Sequence, residues 1–310
     1  MKIYDCITYF DEPLLFDLRL NILNEFVDYF IVIEATHTHS GAEKKLNFNI
    51  KNFKKFENKI IYKTIKEQPK NLLEITKNDT KDYVGRKKRF NALKRVELSY
   101  DTALECLKEA DPNDLFILSD SDEIPNLKNI SLDKIGNNII IFKQKMFYYK
   151  FDLFYDLIPW FGSRACKIKS LISPSWLRYA KAKKYPFWRV DAWVSKTKYN
   201  RVQIVDDGGW HFSNLKKPEE ISKKFLSFGH HDDYEGSHDD YRSSALNDEL
   251  IRKMVDEKKV YYNHFADKKT TNKLLEEGYK LKNIEFSKLP PFLIDNFNIY
   301  KEWFDKKNND

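Results

Sequence analysis

Asp120 and Asp122 stand two residues apart in LFILSDSDEIP, residues 115–125, with Glu123 directly behind them. Leu115 to Leu118 are apolar, so the acids emerge from a segment that reads as a buried strand. Side chains alternate along an extended chain, which sends Asp120 and Asp122 to the same side as the strand leaves the sheet. Carboxylates that close repel, and one pKa rises unless a cation stands between them. A divalent, oxygen-preferring ion, Mg2+ or Mn2+, supplies that charge and keeps coordination positions open for phosphate oxygens. The chemistry expected here is a metal-held diphosphate, with Asp122 as the direct ligand and Asp120 meeting the ion or a ribose. The competing reading makes Asp120 a helix N-cap and the others solvated loop charges.

The elements around this stretch must deliver it. KIYDCITYF (2–10) is rich in strand formers. EPLLFDLRLNILNEF (12–26) follows with Leu15, Leu18, Ile22 and Phe26 on one helical stripe. YFIVIEA (29–35) is a continuous apolar run, as a central parallel strand covered on both faces would be. KIIYKTI (59–65) reads as another strand. A long helix is expected after Gly85, with Leu93, Val96, Tyr100, Ala103 and Leu107 recurring, and it stops at Asp111-Pro112. Arg86 and Arg89 would open that helix, where its positive end and two guanidinium groups favour phosphate, and Asn91 could add an amide contact. The same RKKR run reads equally well as a solvated basic turn.

Strand, helix, strand, helix, strand predicts an α/β fold with a mixed, mostly parallel central sheet flanked by helices. Ligands in such sheets bind beyond the carboxyl ends of the strands. In the second half, 138–155 reads as a long strand or hairpin arm, 162–171 as a strand, and Pro218 to about Phe228 as a helix. The tail to Asp310 reads as helical, polar and peripheral.

Composition narrows the class. With 310 residues, 42% hydrophobic and 33% charged, the chain reads as globular rather than disordered. Its net charge of +7 favours an anionic partner without choosing one, and no nucleic-acid motif appears. Cys6, Cys106 and Cys166 form no CxxC pair, so neither zinc nor a disulfide framework is indicated. No window approaches the ~20 apolar residues of a spanning helix. A soluble, cytoplasmic protein is expected. The basic, aromatic stretch 167–189 could touch the inner face of a membrane from one side.

YFDEPLLFDLRLNIL, DYFIVIEATHTHSG, KLNF, RFNAL, LFILSDSDEIP, GGWHFS and KKFLSFGHHDDY occur here in order. Over residues 3 to 265 this series resembles glycosyltransferase family 17, the β-1,4-mannosyl-glycoprotein β-1,4-N-acetylglucosaminyltransferases and their bacterial and viral relatives. The resemblance implies a GT-A-type fold, a nucleotide-sugar donor and inversion at the anomeric carbon. It makes 1–265 the catalytic domain, with a nucleotide-sugar half (1–125) and an acceptor half (126–265), leaving 266–310 as a helical C-terminal extension. It also implies that the first two strand ends hold the nucleoside, here through Thr8, Glu12 and Glu34.

Further roles follow from that resemblance. His211 in GGWHFS joins Asp120 and Asp122 as a metal ligand, since neutral imidazole binds Mn2+. Lys224 neutralises the leaving diphosphate or, as one of a Lys pair, faces solvent. For the general base, Asp232 fits the family's histidine-x-acid pattern, with Glu123, Asp191 and Asp207 as other candidates. Trp160 and Trp210 are candidates to stack on acceptor sugars, although such aromatic stripes also build cores. His37 and His39 fit a loop around Gly41 better than a metal site.

The function expected is metal-dependent transfer of a sugar, GlcNAc from UDP-GlcNAc, in β linkage onto a glycan or lipid-linked saccharide. The alternatives are a non-catalytic glycan-binding protein and another metal-dependent nucleotide-diphosphate enzyme. A nucleotidyltransferase would carry a glycine-rich loop near the N-terminus, whereas DEPLLF follows the first strand.

Overall fold

The computed structural model describes residues 1–131, 135, 136, 138–183, 188, 201–227, 248–260 and 278–305. The apolar runs build its sheet. β1 (Ile3–Thr8), β2 (Tyr29–Ala35), β3 (Ile60–Ile65) and β4 (Leu115–Asp120) lie in the order β3-β2-β1-β4, every neighbouring pair parallel. Phe30 to Ile33 and Leu115 to Leu118 are buried throughout, as strands covered on both faces require.

Parity sorts their side chains. Ile3, Ile7, Leu115 and Ile117 pack into one core with α1 (Pro13–Leu23). Tyr4, Cys6, Phe116 and Leu118 pack into another with Tyr100 of α2 (Lys81–Asp101). α1 starts at Pro13, whose fixed φ suits a first turn. The Thr80 hydroxyl accepts from the Tyr83 amide and caps α2. α2 therefore begins before Gly85, where the sequence pattern had placed its start, and gives way to a 3-10 turn at Thr102–Leu107. Arg86 and Arg89 consequently lie inside the helix, away from its positive end.

Beyond β4 the direction reverses. β6 (Ile139–Tyr148) and β7 (Leu153–Lys167) form an antiparallel hairpin, and β7 also runs antiparallel to β4. The expected long arm over 138–155 is thus β6, a turn and the start of β7. β8 (Val202–Val205) and β9 (Gly209–Ser213) lie parallel to β6, and β5 (Glu123–Pro125) pairs antiparallel with β9. The result is a mixed, mostly parallel sheet flanked by helices. Glu123 faces His211 across the β5–β9 pair, and Pro125 faces Gly209. A Cβ at Gly209 would stand 2.1 Å from the Ile124 carbonyl oxygen, and its φ is +123°, so glycine alone permits this closure.

The C-terminal residues pack differently from a polar, peripheral tail. Leu289, Leu293, Tyr300 and Phe304 are buried in the same core as α1, and Lys282–Asn283 pairs with β7. Among the described residues no helix is long and apolar enough to cross a membrane.

Candidate active site

A cleft of about 390 Å³ opens beyond the carboxyl ends of β1, β2 and β4. Thr8, Ile33 with Ala35, and Asp120 reach it from the strand ends. Two further helices wall it: α3 (Pro174–Tyr179) supplies Arg178, and α4 (Pro218–Ser227) supplies Lys224. Leu93 and Val96 of α2 line it too and give the cleft an apolar side, and Val96 also packs against the core under α2.

β4 ends at Asp120 and the chain turns at Ser121, so strict alternation does not govern Asp122. Both aspartates line the cleft, but different elements hold them. Asp120 accepts from the Tyr100 hydroxyl (2.8 Å) and pairs with the Arg178 guanidinium (2.5 Å). Burial pushes its carboxyl above the ordinary value; Arg178 opposes this, and the neighbouring charges of Glu123 and Asp122 add to it. Asp122 pairs through Oδ2 with the Lys224 ammonium (3.0 Å), and its Oδ1 lies 3.4 Å from His211 Nε2. Burial disfavours this charge as well, but Lys224 and then His211 outweigh it and hold the Asp122 carboxyl well below the carboxylate range. Lys224 also reaches Glu12 Oε1 at 3.3 Å, and Glu12 Oε2 accepts from the Ser121 hydroxyl at 2.9 Å.

Glu123 takes a different place from the general base considered for it. It is fully buried. Its carboxylate accepts from both terminal nitrogens of Arg178 (2.9 Å each), the Trp160 indole (2.9 Å) and the Asp120 amide (3.1 Å). Burial alone would raise its pKa, yet Arg178 holds it down to about 2. So weak a base, with its acceptor positions filled and no path to solvent, cannot take a proton from an acceptor.

Glu12, Asp120, Asp122 and Glu123 are four carboxylates in contact with two side-chain cations, Arg178 and Lys224. Arg164 is nearby but donates to the Gly162 and Ala180 carbonyls. Lys44 and Arg89 line the cleft as well, so its charges balance without an ion and the fit of a cation rests on the placement of the donors alone. Asp122 Oδ1 and His211 Nε2 face each other at 3.4 Å. That pair suits an ion that completes its shell with water and phosphate oxygens. Asp120 does not join it, because Tyr100 and Arg178 take its oxygens; no group of three acid, His or Cys side chains among the described residues converges as ligands. The residues fit a metal held by two side chains rather than three.

The other expected contacts separate. Arg89 lines the cleft, whereas Arg86 is exposed and pairs with Asp82 one turn earlier (3.0 Å). Asn91 is occupied: both ends of its amide bind the Leu73 backbone at 2.8 Å and pin the preceding loop to α2. Glu34 points away, because Ile33 and Ala35 take the cleft side of β2. Its carboxylate gathers Lys44 (2.5 Å), the Asn47 and Phe48 amides (2.7 and 3.0 Å) and the Tyr62 hydroxyl (2.8 Å), which fixes the loop after β2. His37 and His39 do sit in that loop and line the cleft. Burial and then Arg95 lower the His39 pKa to about 4, so this ring is neutral.

Trp210 is a core residue. It is buried on the opposite face of β9 from His211 and donates to the Lys288 carbonyl (2.8 Å). Trp160 instead stacks on His211 at 4.5 Å between centroids, with 28° between planes. Asp232 and Asp191 lie outside the described residues. Asp207 is exposed and pairs with Lys145.

Arg178, Tyr100 and the buried Arg19 were not anticipated. Arg19 binds Asp5 through two nitrogens (2.6 and 2.5 Å), the Ser119 hydroxyl (2.8 Å) and the Glu123 carbonyl, supporting the acidic turn from below. Three acids within four residues call for a cation nearby, but nothing in the sequence around Arg178 marks it as the supplier.

The family model of glycosyltransferase family 17 matches residues 1–304. The chain belongs to that family. Its members are transferases, so the cleft belongs to an enzyme of glycosyl transfer. No curated protein matches the sequence. Among solved structures, HddC from Yersinia pseudotuberculosis is 12% identical, over 66% of this chain and 90% of that one, with TM-score 0.32. The inositol-1-phosphate CTP transferase from T. maritima is 11% identical, over 74% and 98%, with TM-score 0.33. A glycosyltransferase involved in glycosylation of the major capsid of PBCV-1 is 11% identical, over 66% and 82%, with TM-score 0.27. Likenesses this distant carry nothing about the activity of the family 17 chain.

Proposed function

We propose that this family 17 enzyme transfers a sugar, GlcNAc from UDP-GlcNAc, with inversion, onto a glycan or lipid-linked saccharide. The observation that carries the donor reading is the turn 120–123 at the mouth of β4, whose two aspartates face one cleft while Lys224 bridges Asp122 and Glu12. The nucleoside lies along the strand ends near Thr8 and the neutral His39, against the apolar side made by Leu93 and Val96. The diphosphate lies over Asp122, where the Lys224 ammonium can swing from its two carboxylates to the phosphate oxygens, and Arg89 reaches in from α2.

Mn2+ or Mg2+, held by Asp122 and His211, would screen the diphosphate charge as the glycosidic bond breaks. Asp120 stays bound to Arg178 and keeps the turn shaped. The acceptor hydroxyl attacks the anomeric carbon from the face opposite the diphosphate, its proton passes to a carboxylate, and the nucleoside diphosphate departs with the bonding pair. Asp232 remains the proposed base, on its histidine-x-acid pattern.

Isothermal titration tests this reading. UDP should bind in the presence of Mn2+ and lose affinity when the ion is chelated. Asp122→Asn should lower sugar transfer by ~100-fold or more, the scale seen when a site loses one group that stabilises developing charge. UDP binding of equal strength with and without the ion would refute the metal assignment, and no binding of any nucleotide would refute the donor site. A donor screen across nucleotide sugars then identifies the sugar.

A further inference from the structure

One carboxylate touches both arms of the cleft floor. Glu123 binds Arg178 at two points, and Arg178 grips Asp120. Glu123 Oε1 also accepts from the Trp160 indole, and that ring lies flat on His211, the neighbour of Asp122. The approach is close enough to require a glycine. A Cβ on Gly162 would stand 1.9 Å from Gln144 Oε1 and 2.9 Å from both the Glu123 carboxyl carbon and Trp160 Nε1. The Gly162 carbonyl accepts from Arg178 as well (3.1 Å). Below the turn, Arg19 holds the Glu123 main-chain oxygen, so the residue is fixed at both ends.

We propose that Glu123 is a positioning residue that sets the two arms of the donor site in register, Asp120 through Arg178 and His211 through Trp160. The proposal rests on the reading of the cleft as a donor site. Glu123 touches no reacting atom in it. A buried carboxylate that accepts four hydrogen bonds fixes the directions of its donors, as outer partners fix metal-binding imidazoles. Without it, Arg178 would collapse fully onto Asp120 and Trp160 would lose the bond that orients its ring against His211.

The test uses Glu123→Gln, Trp160→Phe and the double variant of the full chain. Phe keeps an aromatic face on His211, smaller than the indole, and removes the N–H donor. The ring nitrogens of the protein's seven histidines are read by 15N NMR without nucleotide or metal, and Mn2+ affinity is read by titration with and without UDP. Each single variant should shift the His211 ring signal and weaken Mn2+ binding about tenfold, the scale for an outer-sphere partner. The double variant should be no worse than the more damaged single one, because both act on one route. Additive losses, or an unmoved His211 signal in either folded variant, overturn the proposal. If Glu123→Gln does not fold, Glu123→Asp, which keeps the charge and shortens its reach to Trp160 and Arg178, takes its place and is judged by the same two readouts. If the unchanged protein binds neither UDP nor Mn2+, the donor reading has failed, and the His211 signal still judges the link from Glu123.

Discussion

Asp120 and Asp122 are separated by one serine, yet they live in opposite electrostatic settings. Asp120 sits at the end of a regular strand and meets a guanidinium it must share with Glu123, so burial pushes its proton affinity up. Asp122 sits past the turn, with an ammonium on one oxygen and an imidazole near the other, and its proton affinity falls. The difference teaches that the acids of such a motif need not share one job. Asp122 stays ionised under all physiological conditions and has an oxygen turned toward a second donor atom, as a cation ligand should. Asp120 belongs to a closed structural pair.

The most damaging way to break this contrast is to remove the cation on the Asp120 side. Arg178→Met leaves the fully buried Glu123 without its counter-charge, with the partly exposed Asp120 beside it, and breaking a buried pair from one side costs ~3–5 kcal/mol. A drop of that size in unfolding free energy, measured by urea titration, is the expected outcome. Arg178→Lys should recover only part of it, since one ammonium cannot reproduce the fork that spans both carboxylates. A loss below ~1 kcal/mol for Arg178→Met, on the scale of an exposed pair, would mean that the Asp120 side is solvated and the contrast false.

Acid should sharpen the same comparison by a smaller amount. Glu123 is held at about 2, against an ordinary 4.5, so its folded form prefers the charged state. Its contribution is present in full above about 4.5 and is lost as pH falls through about 2. The size is on the order of 3 kcal/mol. Asp122 acts in the same direction. Asp120, raised above 3.8, works in the opposite sense: its folded form holds the proton longer than the unfolded one, so acid relieves it. Melting temperature should therefore fall between pH 5 and pH 2, less steeply in Asp122→Asn and more steeply in Asp120→Asn. Equal slopes in the two variants would show that the aspartates do not differ.

β1 and β3 were legible because they are runs of strand formers, and β2 and β4 because each is a short apolar run that must be buried on both faces. The carboxylates at the end of β4 were legible because charge after such a run needs a reason. What escaped were partners supplied over long separations: Arg178 lies 55 residues from Glu123, and Lys224 lies 102 residues from Asp122. Lys224 was singled out only by resemblance, and Arg178, on a helix of six residues, had no periodicity to mark it. Facing was the other blind spot. Glu34 follows an apolar run just as Asp120 does, but its parity turns it away from the cleft, where it organises a loop. Trp210 and His211 are adjacent in sequence and end on opposite faces of β9.

Facing also governs the smallest expected effect, within α2. Arg86 and Arg89 looked equivalent while both were assigned to a helix start. With Thr80 as the cap they lie in the helix body, three residues apart, and only Arg89 reaches the cleft. The Arg86–Asp82 pair is exposed, so Arg86→Ala should change stability by no more than ~0.5 kcal/mol and leave UDP affinity untouched. Arg89→Ala should remove one charged hydrogen bond to the donor, worth about 1.5–3 kcal/mol, or roughly 10- to 150-fold in UDP affinity. Titration of the two variants side by side checks this without reference to the metal. Equal losses would return both residues to a common phosphate-binding face, and equal indifference would move the diphosphate away from α2 altogether, leaving Lys224 as the described side-chain cation best placed to meet it.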